Sequence, residues 1–361
     1  MAVEEPPIRY GIIGTGMMGC EHIRNLAAME GAVVTAIADP DERSRGFGYL
    51  SADEDPELEI YADYRELLMR APVDAVVIAS PNHTHAQVLE DAFRTRKHIL
   101  IEKPMCTTVE DCRAVVRAAE SHPGVVWVGL EYRYMAPVSR FLSEIAAGRV
   151  GELKMLGIRE HRHPFLPKVG DWNRFNRNTG GTLVEKCCHF FDLMNLATGS
   201  APVRVYASGA QDVNHLDERY RGERPDILDN AFVIVDYENG CRACLDLCMF
   251  AESSRNEQEL VATGSGGKLE CFVPQGTLVM GKRKYREFET LEVDPDERVR
   301  YQGFHHGASY LEHLDFLAAL RGGLPPRVTA ADGLLSVALG VAAHRSIDER
   351  RPVTLAEFGL A

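Results

Sequence analysis

A doubly wound parallel sheet followed by a large, mostly antiparallel open sheet is the architecture that this 361-residue sequence predicts. Three observations predict it. A glycine-rich loop joins a short apolar run to a helical pattern near the start of the chain. Apolar runs then alternate with helical patterns as far as about residue 129. Beyond that point apolar residues recur at every second position. At about 150 residues per domain the length allows two domains, expected at 1–129 (α/β) and 130–361 (α+β). Hydrophobic residues make up 45% and charged residues 26% of the chain, which excludes disorder and collagen-like or coiled-coil repeats. The net charge of −13 repels phosphate backbones, so no nucleic acid partner is expected.

The elements follow in order. Ile8–Ile13 reads as a strand, Gly14-Thr15-Gly16-Met17-Met18-Gly19 as its turn, and a helical pattern runs from Cys20 to about Met29. Val33–Ala38 is the next strand and ends in Asp39, an acidic residue at the spacing of a βαβ dinucleotide fingerprint. Each part has a physical task. Gly14 allows the tight turn, Gly16 lets a pyrophosphate approach the backbone, and Gly19 lets helix and strand pack closely. The helix N-terminus offers N–H groups and a positive dipole end to phosphate. Asp39 can accept from both ribose hydroxyls and would repel a 2′-phosphate, which favours NAD over NADP, although Arg43 and Arg45 stand nearby.

Val73–Ala79, His98–Ile101 and Val125–Val128 are further buried strands. Helices are expected at about Thr84–Arg94 and Thr107–Glu120, the latter capped by Thr107 or Thr108. Period-2 runs then mark strands at Lys154–Glu160, Val203–Ser208, Ala231–Tyr237, Cys241–Met249, Glu259–Thr263 and Lys268–Val273. Helices are expected at about Pro137–Ala147, Thr182–Leu196, Ser309–Leu320 and Ala330–Ser346.

Ligands of a doubly wound sheet bind at the carboxyl ends of its strands. Two loops there carry chemistry, Ser80-Pro81-Asn82-His83-Thr84-His85 and Glu102-Lys103-Pro104. Pro104 biases Lys103 toward extended backbone. Lys103 is then either a snorkelling cation or a positioned acid/base group. In the helix predicted for Thr182–Leu196, Glu185 and His189 are four apart and Asp192 follows three later, on one face. A carboxylate beside an imidazole prepares it for proton transfer, and the same trio can equally be a structural ion pair.

Metal is not expected. Cys241-x-x-Cys244 falls on a predicted strand, where such positions face opposite sides, and His161-x-His163 and His305-His306 lack a zinc spacing. The nine cysteines, scattered and odd in number, read as reduced thiols. The acidic, proline-containing start, Met1-Ala2-Val3-Glu4-Glu5-Pro6-Pro7, is unlike a signal peptide. No run reaches the roughly 20 apolar residues of a membrane helix. A cytoplasmic location without membrane association is expected.

Five markers together resemble the Gfo/Idh/MocA oxidoreductases, relatives of glucose–fructose oxidoreductase and inositol 2-dehydrogenase, over nearly the whole chain. They are Gly11–Gly19, Pro81–His85, Glu102-Lys103-Pro104, Tyr132-Arg133-Tyr134 and Gly180–Asp192. The resemblance implies a Rossmann domain followed by a domain for substrate and oligomerisation. It implies an NAD site lined by Gly14, Thr15, Gly16, Met17, Met18, Gly19, Asp39, Ser80, Asn82, His85, Glu102, Lys103, Arg133, Trp172 and Arg174. It makes Lys103 the group beside the substrate hydroxyl, His189 the proton acceptor and Glu185 its carboxylate, where many members carry Asp. Lys186 beside Glu185 could compete for that carboxylate. Hydride would pass from a secondary alcohol carbon to nicotinamide. A polyol, sugar or glycoside substrate would meet His163, Asp171, His306 and Tyr310. The resemblance further implies a homodimer or homotetramer built through the C-terminal sheet. Some relatives retain NAD and process glycosides without net oxidation, and the fold also serves non-enzymatic nucleotide sensors.

Overall fold

The structure is a computed structural model in which residues 5–360 are described. Met1–Glu4, and with them most of the acidic start, lie outside the described residues. The chain forms two compact units. One comprises the chain up to Glu131 together with Lys168–Gly170 and Glu297–Leu334, and the other comprises Tyr132–Pro167, Asp171–Asp296 and the chain from Leu335. The division expected after residue 129 lies two residues before the end of the first unit's N-terminal segment, and that unit also takes in Lys168–Gly170 and Glu297–Leu334.

In the first unit β1 (Ile8–Ile13), β2 (Ala32–Ala38), β3 (Glu59–Tyr61), β4 (Ala75–Ile78), β5 (His98–Glu102) and β6 (Val126–Gly129) form a six-stranded sheet in the order β3-β2-β1-β4-β5-β6. Every pairing in it is parallel. Val76–Ile78 and Ile99–Ile101 are fully buried, because helices cover both faces of such a sheet. Those helices are α1 (Met17–Ala27), α2 (Glu42–Ser51), α3 (Tyr64–Arg70), α4 (His85–Ala92) and α5 (Val109–Ser121). The strand order reverses between β1 and β4, which opens a crevice at their carboxyl ends.

Several elements differ from expectation. Helix α1 begins three residues earlier than Cys20, with Gly16 as its N-cap. The segment α2–β3–α3 had not been expected. Its helices start at Asp41 and Asp63, whose side chains accept from the Ser44 and Arg65 N–H groups. Its strand is three residues long and mostly exposed, so it carries no apolar signal. Thr108, not Thr107, caps α5 by accepting from the Asp111 N–H. The helix Ala308–Gly322, expected in the second domain, packs in the first unit through an aromatic cluster. Phe316 lies 5.9 Å from Trp127 and 6.3 Å from Tyr10, and the Trp127 indole N–H donates to Glu312 at 3.1 Å.

The second unit is built on nine strands: β7 (Leu153–His161), β8 (Pro202–Ala210), β9 (Asn230–Tyr237), β10 (Arg242–Cys248), β11 (Gln258–Gly264), β12 (Gly267–Val273), β13 (Thr277–Lys282), β14 (Phe288–Glu292) and β15 (Val353–Thr354). Their order is β14-β13-β12-β11-β7-β10-β9-β8-β15, antiparallel except where β10 runs parallel to β7. The six expected strands are present within one or two residues. Strand β14 is largely exposed and β15 has two residues, so neither shows an apolar period. One face is core: Ala243, Leu245 and Leu247 alternate with half-buried Cys244, Asp246 and Cys248. Buried Cys241 and half-buried Cys244 therefore face opposite sides. Among the described residues no group of three or more His, Cys, Asp or Glu side chains is arranged to hold a metal ion, and no helix is long and apolar enough to cross a membrane.

Helices α6 (Ala136–Ala146), α7 (Asn176–Thr179), α8 (Thr182–Glu185) and α9 (Cys188–Thr198) complete this unit with the long helix Ala330–Glu349, in which the boundary between the units falls. The expected helix Thr182–Leu196 is therefore two helices, interrupted at Lys186-Cys187. Lys186 turns its ammonium to Glu160 on β7, and the Cys188 thiol bonds the Glu185 carbonyl near the break. At the start of α8, Gly181 adopts φ +91° beside His344, whose Nε2 accepts the Leu183 N–H at 3.1 Å. Burial pushes the His344 pKa down to about 4, which keeps that nitrogen an acceptor at neutral pH.

A Cβ at Gly19 would stand 1.9 Å from the Gly14 carbonyl oxygen, whereas one at Gly16 would have nothing within 4 Å. Gly19→Ala is therefore expected to cost about 1–3 kcal/mol as overpacking, read from the urea midpoint. Gly16→Ala should cost much less, and equal losses would refute the close approach.

Candidate active site

In the first unit the crevice is assembled from loop ends. Gly14 takes φ +90° and donates its N–H to the Ala38 carbonyl at 2.8 Å, tying the turn to β2. A side chain there would strike the Ala79–Ser80 backbone, so the glycine loop and the loop after β4 touch. Asp39 locks the same corner. One of its oxygens accepts the Thr15 N–H at 2.8 Å and the other the Asp41 N–H at 2.9 Å. Burial raises the Asp39 pKa and these two bonds oppose it. Arg45 donates to the Asp39 and Pro40 carbonyl oxygens at 2.8 and 3.1 Å. Met17 and Met18 are half-buried in the first turn of α1.

The next two loops are joined by one buried imidazole. His85 contacts the Ser80 carbonyl through Nε2 and the Pro104 carbonyl through Nδ1, both at 2.9 Å, and burial lowers its pKa. It therefore holds the two loops together. Ser80 and Thr84 share a hydroxyl bond of 2.7 Å. Glu102, at the end of β5, accepts the Lys103 backbone N–H at 3.0 Å with one oxygen and meets His22 Nε2 at 2.8 Å with the other. Burial would raise the Glu102 pKa, but His22 and the nearby Lys103 charge hold it well below the usual carboxylate range.

Behind Lys103 lies a buried polar seam that sequence reasoning missed. His22 Nδ1 contacts His313 Nε2 at 2.8 Å, and His305 Nδ1 stands 3.5 Å from Glu131 and 3.8 Å from Glu21. Burial and the Glu102 charge push Glu131 up to about 8, with Lys103 pulling the other way. The available signal was Glu21-His22 on the inner face of α1, where apolar residues are the rule. Tyr310, expected to meet substrate, packs within this unit. It is buried, and its hydroxyl donates to the Ala28 carbonyl at 3.3 Å. His306 is exposed at φ +54°.

These residues fit a dinucleotide. Gly16 leaves a cradle that a Cβ would fill, at the N-terminus of an eleven-residue helix. Thr15 Oγ1 and Asn82 Nδ2 are buried there without hydrogen-bond partners among the described residues. Buried polar atoms of this kind call for a partner.

In the second unit His189 is buried and lies flat against Tyr132, with ring centroids 3.9 Å apart and planes 7° apart. Asp192 is gripped by Arg133 through Nη2 and through Nε at 3.0 Å, so Arg133 is committed to an ion pair within this unit. Glu185 is buried. The Lys186 ammonium meets Glu160 at 2.9 Å and the Tyr132 hydroxyl at 2.5 Å, and does not compete for the Glu185 carboxylate as the sequence suggested. Arg174 reaches Glu218 at 3.2 Å, the Trp172 carbonyl accepts from Asn178, and Asp171 in the same turn takes φ +54°. His163 accepts from Arg162 at 3.0 Å. Burial and the Arg162 charge lower its pKa.

Comparison with known proteins agrees with both halves of this description. A family described as an oxidoreductase family with an NAD-binding Rossmann fold matches residues 8–130, and its C-terminal alpha/beta domain matches residues 143–355. The chain is 26% identical to a myo-inositol 2-dehydrogenase of Thermotoga maritima over 355 residues, covering 97% of this chain and 99% of that one. It is 31% identical to inositol 2-dehydrogenase 2 of Saccharopolyspora erythraea over 345 residues, covering 94% and 93%. The fold matches a levoglucosan dehydrogenase solved with NADH and levoglucosan at a TM-score of 0.84, with 21% identity and coverage of 97% and 99%. The chain belongs to the Gfo/Idh/MocA oxidoreductase family.

Proposed function

We propose that the protein is an NAD-dependent dehydrogenase that moves hydride between a secondary hydroxyl of an inositol, sugar or glycoside and nicotinamide. The observation that carries this reading is Lys103 at the carboxyl edge of a sheet whose glycine loop is open at Gly16 and backed by Asp39. Gly14–Gly19, Asp39, Ser80, Asn82, Glu102 and Lys103 would hold the cofactor, and Arg133, Trp172 and Arg174 are proposed as further cofactor residues. His85 serves by fixing two of the loops. When bound, the nicotinamide supplies the hydride acceptor. Lys103 stabilises negative charge growing on the reacting oxygen. His189 takes the proton, assisted by Glu185. His163, Asp171 and His306 are the side chains proposed to meet substrate hydroxyls. Relatives named inositol 2-dehydrogenase along the full length support this substrate class.

NAD is preferred to NADP because Asp39 would repel a 2′-phosphate and Arg45 already donates to two backbone carbonyls. The ratio of kcat/KM for the two cofactors is expected to favour NAD, and Asp39→Ala should narrow it at least about tenfold, the worth of one charge-assisted hydrogen bond. Equal efficiency in the wild type would refute the preference.

Lys103→Ala and His189→Ala should each lower turnover roughly 10²–10⁴-fold while leaving the NAD dissociation constant nearly unchanged. The double variant should lose far less than the product of the two effects, because the groups act as a unit. Full turnover in His189→Ala would end the proton-transfer role. Inositols, hexoses and glycosides screened by NADH absorbance would identify the substrate. Product formed without NADH release would instead identify a retained, redox-neutral cofactor.

We also assign a homodimer or homotetramer to the outer face of the nine-stranded sheet. Met155, Val203, Tyr206, Phe232 and Ile234 are exposed there on β7, β8 and β9, an apolar surface of the kind that marks interfaces. Phe232→Asp combined with Ile234→Asp should reduce the mass measured by light scattering to that of one chain. A wild type that is already monomeric would refute the assignment.

A further inference from the structure

Behind His189 the second unit carries a chain of contacts that the proposed chemistry does not use. Tyr132 lies parallel to the His189 imidazole at 3.9 Å. The Lys186 ammonium bonds the Tyr132 hydroxyl at 2.5 Å and sits 4.7 Å from the centre of the same ring. Glu160 pairs with Lys186 at 2.9 Å, accepts from Gln258 at 2.7 Å, and has Arg162 at 3.7 Å. All of Tyr132, Lys186, Glu160 and Gln258 are buried. An ion pair sealed behind an aromatic ring contributes little net stability, which leaves its placement to be explained.

We propose that Tyr132, Lys186 and Glu160 are positioning residues for His189: the stacked ring fixes the imidazole plane, and the charges behind it set the proportion of neutral imidazole available to accept a proton. The inference rests on the reading of His189 as the base. The reasoning is electrostatic. An ammonium donating into the phenol oxygen withdraws electron density from the ring that His189 faces, and a cation one ring away disfavours imidazolium. Arg162 adds a second positive charge, and Glu160 offsets one of the two. On the helices around His189 the charged side chains besides Lys186 are Glu185 and Asp192, the latter neutralised by Arg133. Helix α6, which also packs on α9, presents Arg140 and Glu144, paired with each other. On the segment after β7, burial and the Arg162 charge lower the pKa of His163. Lys186 and Glu160 are thus opposed controls on one group.

The test is NMR titration of His189 in the full-length protein, with its resonance identified by its loss in His189→Asn. Lys186→Met should raise the His189 pKa, and Glu160→Gln should lower it, each by on the order of half a unit to one unit. The double variant Glu160→Gln/Lys186→Met should return close to wild type, and Lys186→Arg should restore most of the shift. The acidic limb of the kcat profile should move in the same directions. Damage to packing alone would not produce shifts of opposite sign. Shifts of one sign, or none, would overturn the proposal. If Lys186→Met does not fold, Glu160→Gln and the double variant decide it, since the latter removes both charges together. Full turnover in His189→Asn would instead remove the base. Lost turnover there with unmoved titrations in the other variants would keep the base and discard the relay.

Discussion

Taking the Lys186 ammonium and the Glu160 carboxylate out of water costs several kcal/mol per ion before their attraction is counted, and that constraint organises the second unit. The pair forms only if β7 runs beneath the break between α8 and α9, and the break is where Lys186 leaves the helical path. The same constraint recurs wherever a charged group stands near a residue of functional interest. Arg133 closes on Asp192, and Glu102 closes on His22. Each of these three pairs joins elements distant in sequence, so each also fixes where two elements meet. Catalytic positioning requires side chains restrained in this way.

The first unit solves a different problem, that of bringing backbone close to a polyanion. It does so by deleting side chains where α1, the glycine loop and the loop after β4 converge. Asp39 then uses both carboxylate oxygens on backbone N–H groups of that corner. The residue that would select the cofactor is therefore also part of the framework that shapes the loop. His85 plays the equivalent part on the other side of the crevice, contacting the carbonyl oxygens of Ser80 and Pro104, which lie twenty-four residues apart.

Most of this was legible in the sequence because its signals are local. The glycine loop, the alternation of strand and helix, and the period-2 runs are patterns of adjacent residues governed by backbone sterics and burial. What the sequence concealed was pairing at a distance. Glu185, His189 and Asp192 suggested one helical face, yet Asp192 goes to Arg133 and the helix is broken at Lys186. Tyr310 looked like a polar group for substrate, and only the packing of its helix against α1 reveals that its hydroxyl is spent on the Ala28 carbonyl. His22, Glu131 and His313 went unnoticed because a buried titratable group resembles a surface one until its neighbours are known. Strand β3 escaped for the opposite reason: its register is set by β2 and its own residues are mostly exposed.

The interleaving of the two units has a consequence for synthesis of the chain. The surface of the parallel sheet that carries Tyr10 and Trp127 is covered by the helix Ala308–Gly322, which leaves the ribosome after every strand of the second unit except the short β15. Domains usually fold as they emerge, N-terminal first. Here the N-terminal sheet can form early, but it must wait with an uncovered aromatic patch until nearly nine-tenths of the polypeptide has been made. During that interval the aromatic rings of Tyr10 and Trp127 lack the helix that buries them in the finished chain.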